Sequence, residues 1–393
     1  MLHKTMKSSR YVLFFLAVVC AFSVANIYYV QPLIYLISTD FKSGVESASS
    51  LAMIIQLSYA AGLLLFVPLG DRISRKLLIF LLLSVSAFFS LCAAFSSSIL
   101  ALKLFSIFIG VTSVGAQIII PVAPAFVTEN RKGRALGVVT SGLLIGVLLG
   151  RTMSGLISEY WGWRAVYFFA VLGDFISIIL ALLIIPHGSP TAKGNYLTLF
   201  KSMWELFVSE RILRSSALCG ALVFGAFSAV WGGLAFLAAQ PPLELNSAEV
   251  GAFGLAGIVG AVAAPFIGRY ADKVGHYKVV LLGVIFNILA FSAIYFAPYT
   301  LFALIFGMIA LDIGGRANLI GNQLAALSVS NDARSRLNTV FMFSYFIGGA
   351  FGTWLGALVA VKYSWQGISC LGIVIVVVVG VLVLRFMSRS HSR

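Results

Sequence analysis

The stretch VPLGDRISRK at residues 67–76 recurs in altered form as GRYADKVGH at residues 268–276, half a chain later. The acids of the two stretches, Asp71 and Asp272, are 201 residues apart. Further residues recur at a constant spacing of 202, pairing Arg134, Gly146, Gly150 and Trp163 with Arg336, Gly348, Gly352 and Trp365. One inserted residue accounts for the change in spacing. The chain is therefore predicted to contain two parallel copies of one structural unit.

The composition places both copies in a membrane. Of the 393 residues, 60% are hydrophobic and 10% are charged, whereas a soluble domain carries about 25% charged residues. This composition argues against a soluble enzyme, a nucleic-acid-binding protein and a disordered chain. The four cysteines lie inside apolar runs and lack the spacing of a disulfide framework or a metal site: Cys20, Cys92, Cys219 and Cys370.

Twelve apolar runs are long enough to cross a bilayer, which needs about 20 residues per helix. They lie near residues 11–37, 50–69, 77–97, 100–127, 135–157, 165–186, 214–240, 249–267, 279–298, 300–328, 339–361 and 368–387. We expect an all-α membrane protein with twelve transmembrane helices in two pseudo-symmetric six-helix bundles. The predicted units are residues 1–186, a cytoplasmic linker at 187–213 and residues 214–393.

The basic residues predict the orientation of these spans. If the N-terminus is cytoplasmic, 21 Lys and Arg residues fall in cytoplasmic segments and three, Lys42, Arg164 and Lys362, in outer loops. Such a bias, which also explains the net charge of +14, indicates that both termini are cytoplasmic. The chain contains no Asn-x-Ser/Thr acceptor, which favours a bacterial inner membrane.

Two segments allow more than one interpretation. Residues 4–25 resemble a signal peptide, but the apolar run continues to Ile37, and cleavage would leave eleven spans with the N-terminus outside. In the linker, apolar residues recur with helical spacing at Leu197, Phe200, Trp204 and Phe207. This spacing predicts an amphipathic helix on the inner membrane surface, and a flexible tether is the alternative.

The doubled loop stretch resembles the signature of the major facilitator superfamily, Gly-x-Leu-Ala-Asp-Arg-x-Gly-Arg-Lys. The opening NIYYVQP at residues 26–32 and the stretch ARSRLNT at 333–339 resemble one subgroup of the bacterial twelve-span drug:proton antiporters. The sequence departs from the antiporter signatures at two places. Arg151 stands where the span-five signature has a proline, and Ser106 and Ile107 stand where span four has an arginine.

The resemblance implies that spans one, four, seven and ten line a central cavity. Polar and aromatic residues on these spans are the expected substrate contacts: Asn26, Gln31, Gln117, Phe227, Trp231 and Asn322. It also implies an inner gate built around the two loop acids: Asp71, Arg72, Arg75, Arg134, Asp272, Lys273 and Arg336. Solvated loop charges that only fix the topology are the alternative.

Charged residues inside the spans indicate where protons bind. Asp312 lies about 18 Å into span ten, one helical turn from Arg316. A change in their separation between two conformations would move a proton on and off Asp312, and a static ion pair is the alternative. Arg151 and Asp174 lie on consecutive spans at depths that differ by about 5 Å. We therefore predict that these two residues form a buried ion pair.

Together these features predict a proton-coupled transporter that exports a small organic compound by alternating access. An uncoupled facilitator or an importing proton symporter is the first alternative, and a membrane sensor on the same fold is the second. The histidines fall in loops and tails and no HExxH occurs, so an enzyme is not expected. The expected partners are a small solute, protons and the bilayer, with no nucleic acid, metal or cofactor, and the chain is expected to be a monomer.

Overall fold

The computed structural model describes residues 2–128, 131–186, 196–330 and 333–390, and side chains at 2–10, 71, 197 and 387–390 lie outside the description. Every regular element within these ranges is a helix. The first half contains α1 (Leu2–Tyr28), α2 (Ile34–Asp40), α3 (Val45–Phe66), α4 (Arg75–Ala94), α5 (Ile99–Thr112), α6 (Gly115–Ile119), α7 (Lys132–Trp161) and α8 (Trp163–Ile184). Short 3-10 turns join several of them, at Gln31–Leu33, Pro68–Asp71 and Ile120–Phe126.

The second half repeats this series after a linker helix. The linker helix is α9 (Tyr196–Ser209). The second half contains α10 (Arg211–Ala238), α11 (Ser247–Ala252), a 3-10 turn at Phe253–Ala256, α12 (Gly257–Val274), α13 (His276–Tyr295), α14 (Leu301–Leu327) and α15 (Arg334–Ser390). Eleven stretches of the described residues are long and apolar enough to cross a membrane. The last, Arg334–Phe386, has 53 residues, about 80 Å of helix and twice what a bilayer needs. It breaks at Ser364, where φ is 54°, which is consistent with twelve spans.

Two stripes of glycine bring helices within each half into close contact. A Cβ atom at Gly142 or Gly146 would lie 2.2 Å from a backbone oxygen of α1, at Ala17 or Ala21. In the second half, a Cβ atom at Gly348, Gly352 or Gly356 of α15 would lie 2.0–2.1 Å from a backbone oxygen of α10. Small residues at this spacing let membrane helices pack closely. The matching contacts reproduce the repeat that the sequence predicts.

The two halves meet along two pairs of helices. α3 packs against α15, where Gln56 Nε2 donates to Thr353 Oγ1 at 3.2 Å and the rings of Tyr59 and Phe346 are 4.5 Å apart. α7 packs against α11. We call the side of the bundle that carries α9 the linker face, and the opposite side, which carries Trp163 and Ser247, the far face. The far face is the outer side in the predicted orientation.

The linker forms a helix, α9, in the part that the structure describes, and residues 187–195 of the predicted linker lie outside it. Met203 of α9 is buried against Leu337 and Phe341, while Trp204 is 66% exposed. The helix contacts both halves, because the Tyr196 hydroxyl donates to the carbonyl of Leu65 and Arg336 donates to the hydroxyl of Ser202.

Candidate functional site

A cavity of about 700 Å³, part of it open to solvent, lies between the two halves. Its wall combines aromatic side chains with three charged ones, and both halves contribute: Val24, Tyr28, Tyr59, Gln117, Leu143, Val147, Arg151, Phe224, Phe227, Asp312, Gly315, Arg316, Leu319, Met342, Tyr345 and Phe346. Sites for small organic ligands are lined mainly by apolar and aromatic side chains, with a few polar or charged groups that orient the ligand. This mixture of apolar area and a few charges is typical of such sites.

Arg151 lies in the wall of the cavity and is 2% exposed. Its Nε donates to Gln31 Oε1 at 2.7 Å. The guanidinium carbon lies 4.0 Å from the ring centre of Trp231 and 4.6 Å from that of Tyr28. Aromatic faces at these distances stabilise a cation without neutralising it. The charge of Arg151 is thus held rigidly at the boundary between the halves.

Asp312 and Arg316 face the same cavity from α14. Asp312 is 4% exposed, and its Oδ2 has no hydrogen-bond partner among the described residues. It interacts electrostatically with both Arg316 and Arg151. In the described part of the chain, Asp312 forms no ion pair of 4.0 Å or less with either arginine. The Asp312 carboxyl group therefore interacts with two guanidinium groups without a direct ion pair to either, and one of its oxygens has no hydrogen-bond partner among the described residues.

α12 holds these two residues in place. A Cβ atom at Gly257 would lie 3.3 Å from Asp312 Oδ1, and one at Gly260 would lie 3.2 Å from both Asp312 Cβ and Arg316 Cγ. A side chain at either position would make contacts tighter than ordinary van der Waals distance, and the charged residues would have to shift by a few tenths of an ångström. The glycines of span eight thus position the charged wall.

The structure does not form the predicted ion pair between Arg151 and Asp174. Asp174 is fully buried inside the first half, where its Oδ1 accepts from Asn26 Nδ2 at 3.0 Å. Asn26 Nδ2 also lies 3.1 Å from Ser86 Oγ. The similar depths of the two residues along their spans did not suffice to predict a pair, because depth does not define how each helix is rotated. Asp174 faces α1 and α4, whereas Arg151 faces the second half.

The other predicted cavity residues divide into two groups. Gln117 and Phe227 line the cavity. Asn26, Gln31, Trp231 and Asn322 lie behind its wall: Asn26 binds Asp174, Gln31 binds Arg151, Trp231 lies against Arg151, and Asn322 donates to the carbonyl of Asn318 at 2.9 Å. A position on a cavity-lining span therefore does not by itself put a side chain on the cavity.

The predicted inner gate is only partly described. The side chain of Asp71 lies outside the described residues, and Arg134, Asp272 and Lys273 are exposed. Arg75 Nε donates to the carbonyl of Gly70 at 3.1 Å. Two predicted gate residues contact α9: Arg72 lies 5.8 Å from the ring centre of Tyr196, and Arg336 binds Ser202. The linker helix, which sequence reasoning placed on the membrane surface, therefore contacts the loops of both halves.

Close contacts join the halves on the far face. Thr152 Oγ1 donates to the carbonyl of Gly251 at 3.1 Å, and the backbone N–H of Ser247 donates to Glu159 Oε2 at 3.1 Å. A Cβ atom at Gly155 would lie 2.3 Å from the carbonyl oxygen of Ser247. The cavity lies on the linker side of this contact. Solute in the cavity is therefore separated from the far face in this conformation.

The sequence predicted aromatic residues of span seven on the cavity, but it did not predict the contribution of span eleven to this aromatic wall. Phe224 stacks on Tyr345 with ring centres 4.0 Å apart and planes 11° from parallel. Phe227 continues the wall 5.9 Å from Phe224. Tyr345 lies on span eleven, which was not expected to line the cavity. The helical spacing of Phe224, Phe227 and Trp231 was the available signal, although it does not separate a cavity wall from a lipid-facing stripe.

Comparisons with known proteins identify relatives over nearly the whole chain. A family model described as Major Facilitator Superfamily matches residues 13–311 and 217–393. The protein named "Putative uncharacterized transporter YgaY" of Escherichia coli K12 is 36% identical over 369 residues, which are 92% of each chain. "Inner membrane transport protein YnfM" of the same strain is 25% identical and covers 94% of this chain and 88% of its own.

The fold also matches a solved structure. A bacterial homologue of the human lysosomal transporter Spinster, in an inward-facing and occupied conformation, superposes with a TM-score of 0.76. The match covers 98% of this chain and 97% of the other, at 14% identity. At this level of identity the likeness concerns the fold alone.

Proposed function

The chain belongs to the major facilitator superfamily and is a membrane transporter rather than an enzyme, and from this premise we propose that it is a proton-coupled transporter of small organic solutes. The single observation that supports the proposal is the position of Asp312. It is a buried carboxyl group on the cavity wall, with one oxygen free and two arginines nearby. Groups of this kind inside a membrane mark ion and proton pathways.

Alternating access would work by rocking the halves about the cavity. In the present conformation the contacts of Thr152 and Glu159 close the far face. Opening the far face requires these hydrogen bonds to break and the helices α7 and α11 to separate. The same motion changes the distance between Arg151 on α7 and Asp312 on α14, because the two residues belong to different halves.

That change in distance couples the proton to transport. Burying an ionised carboxylate is costly unless a cation is close. Separation of Arg151 from Asp312 therefore favours protonation of the acid, and approach favours its ionised form. A static Asp312–Arg316 pair, the alternative, would keep the same proton occupancy in both conformations.

The direction of transport depends on how cargo and proton affect each other. Export in exchange for protons, as the resemblance to drug:proton antiporters implies, requires cargo that competes with the proton. The second candidate is symport, in which both bind together. The excess of positive charge around Asp312 favours this second candidate when the cargo is negatively charged, because protonation of the acid removes a repulsive charge.

Substrate flux in proteoliposomes tests the proposal. We expect an imposed pH gradient to drive accumulation by the wild-type protein, and Asp312→Asn to abolish accumulation while retaining downhill exchange. Glu244→Gln, which removes an exposed acid on the far face, is the matched control and should accumulate cargo normally. If Asp312→Asn still concentrates cargo against its gradient, the proton binds elsewhere.

We further propose, from the charge bias of the loops and the relationship to bacterial transporters, that the protein lies in a bacterial inner membrane with both termini cytoplasmic. Cysteine labelling from either side of the membrane at Arg269 on the linker face and at Tyr160 on the far face, both exposed, checks the orientation.

A further inference from the structure

The cavity carries more positive than negative charge, and we infer from this that its cargo is an organic anion with an aromatic or similarly flat apolar body. The inference rests on the proposed transport function, because it names the class of solute for the same cavity. It does not depend on the direction of transport or on proton coupling. The argument has three parts: the free donors of Arg151, the charge balance of the wall and the stacked rings beside it.

Arg151 has donors to spare. A guanidinium has five N–H donors in a plane, and two of them can engage one carboxylate or phosphate side by side. Among the described residues, only the Nε–H of Arg151 has an acceptor, which is Gln31 Oε1. The guanidinium group of Arg151 lies over the rings of Trp231 and Tyr28. The terminal nitrogens, on a side chain that is 98% buried and lines the cavity, remain for a ligand.

The charges around the cavity do not balance. Arg151 and Arg316 both line it and repel each other electrostatically, and Asp312 is the one acid on the same wall within the described residues. The other intramembrane acid, Asp174, is enclosed in the first half with Asn26. The wall is therefore positive whether or not Asp312 holds a proton. A negatively charged ligand compensates this charge, whereas a cation adds to it.

The rest of the wall suits a flat apolar body. Phe224 and Tyr345 form a stack of nearly parallel rings, and Phe227 lies 5.8 Å from the guanidinium carbon of Arg151. An aromatic or alkyl group placed against these rings would bring an attached acid group to the arginines. Inorganic anions lack the apolar part and would leave the ring surface unused.

Anion binding also determines the sign of the proton coupling. The charged and titratable groups that interact with Asp312 are Arg316 on its own helix, Arg151 on α7 and Tyr345 on α15, with Tyr28 of α1 next to Arg151. An anion between the arginines repels an ionised Asp312 and favours its protonation. Anion and proton are thus expected to bind together.

Binding to the purified full-length protein in lipid nanodiscs tests the inference without any gradient. The probes share one ring system: 2-naphthoate, 2-naphthalenesulfonate, the neutral 2-naphthamide and the cationic 2-naphthylmethylammonium. We expect at least one of the anions to bind about tenfold or more tightly than the amide, and the cation to bind most weakly. Arg151→Gln and Arg316→Gln should each remove this preference.

The matched control is Arg269→Gln, which removes an exposed arginine from span eight and should keep the preference for anions. If Arg151→Gln does not fold, Arg151→Lys retains the charge and should retain the preference. Asp312→Asn, which mimics the protonated acid, should bind the anion more tightly and with less dependence on pH.

The inference is overturned if neither anion binds better than the amide, if the glutamine variants keep the preference, or if Asp312→Asn weakens anion binding. Because no transport is measured, anion binding without flux would contradict the proposed function alone. Flux of a neutral or cationic solute without anion binding would contradict only the cargo class.

Discussion

Arg151 lies in the cavity wall and contacts residues of both halves of the molecule. Its Nε is fixed by Gln31 of the first half, and its charged face lies on Trp231 of the second. A buried cation without a carboxylate partner is costly, so its position in the cavity wall favours a role in binding. Asp174, the acid that the sequence suggested as its partner, is satisfied on one oxygen by Asn26.

At this scale we predict that Arg151 and Asp174 contribute independently to stability. Arg151→Gln and Asp174→Asn should have additive effects on the free energy of unfolding, within about 0.5 kcal/mol, because the two side chains share no contact. A double-mutant cycle on the melting temperature of the purified protein measures this. A coupling of several kcal/mol would mean that the two charges do pair, contrary to the structure.

The charged residues were predictable as a group, but their partners were not. Asp312, Arg316 and Arg151 stand out in the sequence because ionisable residues are rare inside spans. Which of them meet depends on how each helix is rotated, and a shift of one residue turns a side chain by about 100°. Hydrophobic periodicity did not fix that rotation, since these spans are apolar on most faces.

At the scale of helices, the two halves use the same connection for equivalent turns. Gly162, with φ of 78°, joins the end of α7 to Trp163 of α8, and Ser364, with φ of 54°, is the equivalent break in α15 before Trp365. The repeat in sequence predicted the correspondence of the tryptophans. The contact of α9 with both halves was not predictable, because Tyr196 and Ser202 belong to the linker and have no counterpart in the repeat.

These turns give a matched pair of predictions. A residue other than glycine with positive φ is strained by about 1–3 kcal/mol. Ser364→Gly should therefore raise the free energy of unfolding by about 1 kcal/mol, partly offset by the greater freedom of glycine in the unfolded chain. Gly162→Ser should lower it by a similar amount. Thermal unfolding in detergent tests both, and a melting temperature unchanged or lowered in Ser364→Gly would contradict the argument.

At the scale of the whole molecule, the far face is closed while the charged cavity lies on the linker side of the closure. The hydrogen bonds of Thr152 and Glu159 and the close approach of Gly155 to Ser247 are among the contacts that hold the far face shut. These contacts must break when the far face opens. The sequence repeat predicted two halves with a site between them, and the composition predicted the membrane, because both signals extend over the whole chain.

The central claim is that the halves rock about this cavity, and distances between spin labels on the two faces test it most directly. Labels at Tyr160 and Gln240 report the far face, and labels at Arg134 and Arg269 report the linker face, all at exposed positions. We predict two populations of label-to-label distance at each face. A change from acidic to alkaline pH should shift the balance between short and long distances in opposite directions at the two faces. Asp312→Asn should abolish this shift. Distances that stay in one population at both faces, or that lengthen together, would contradict alternating access.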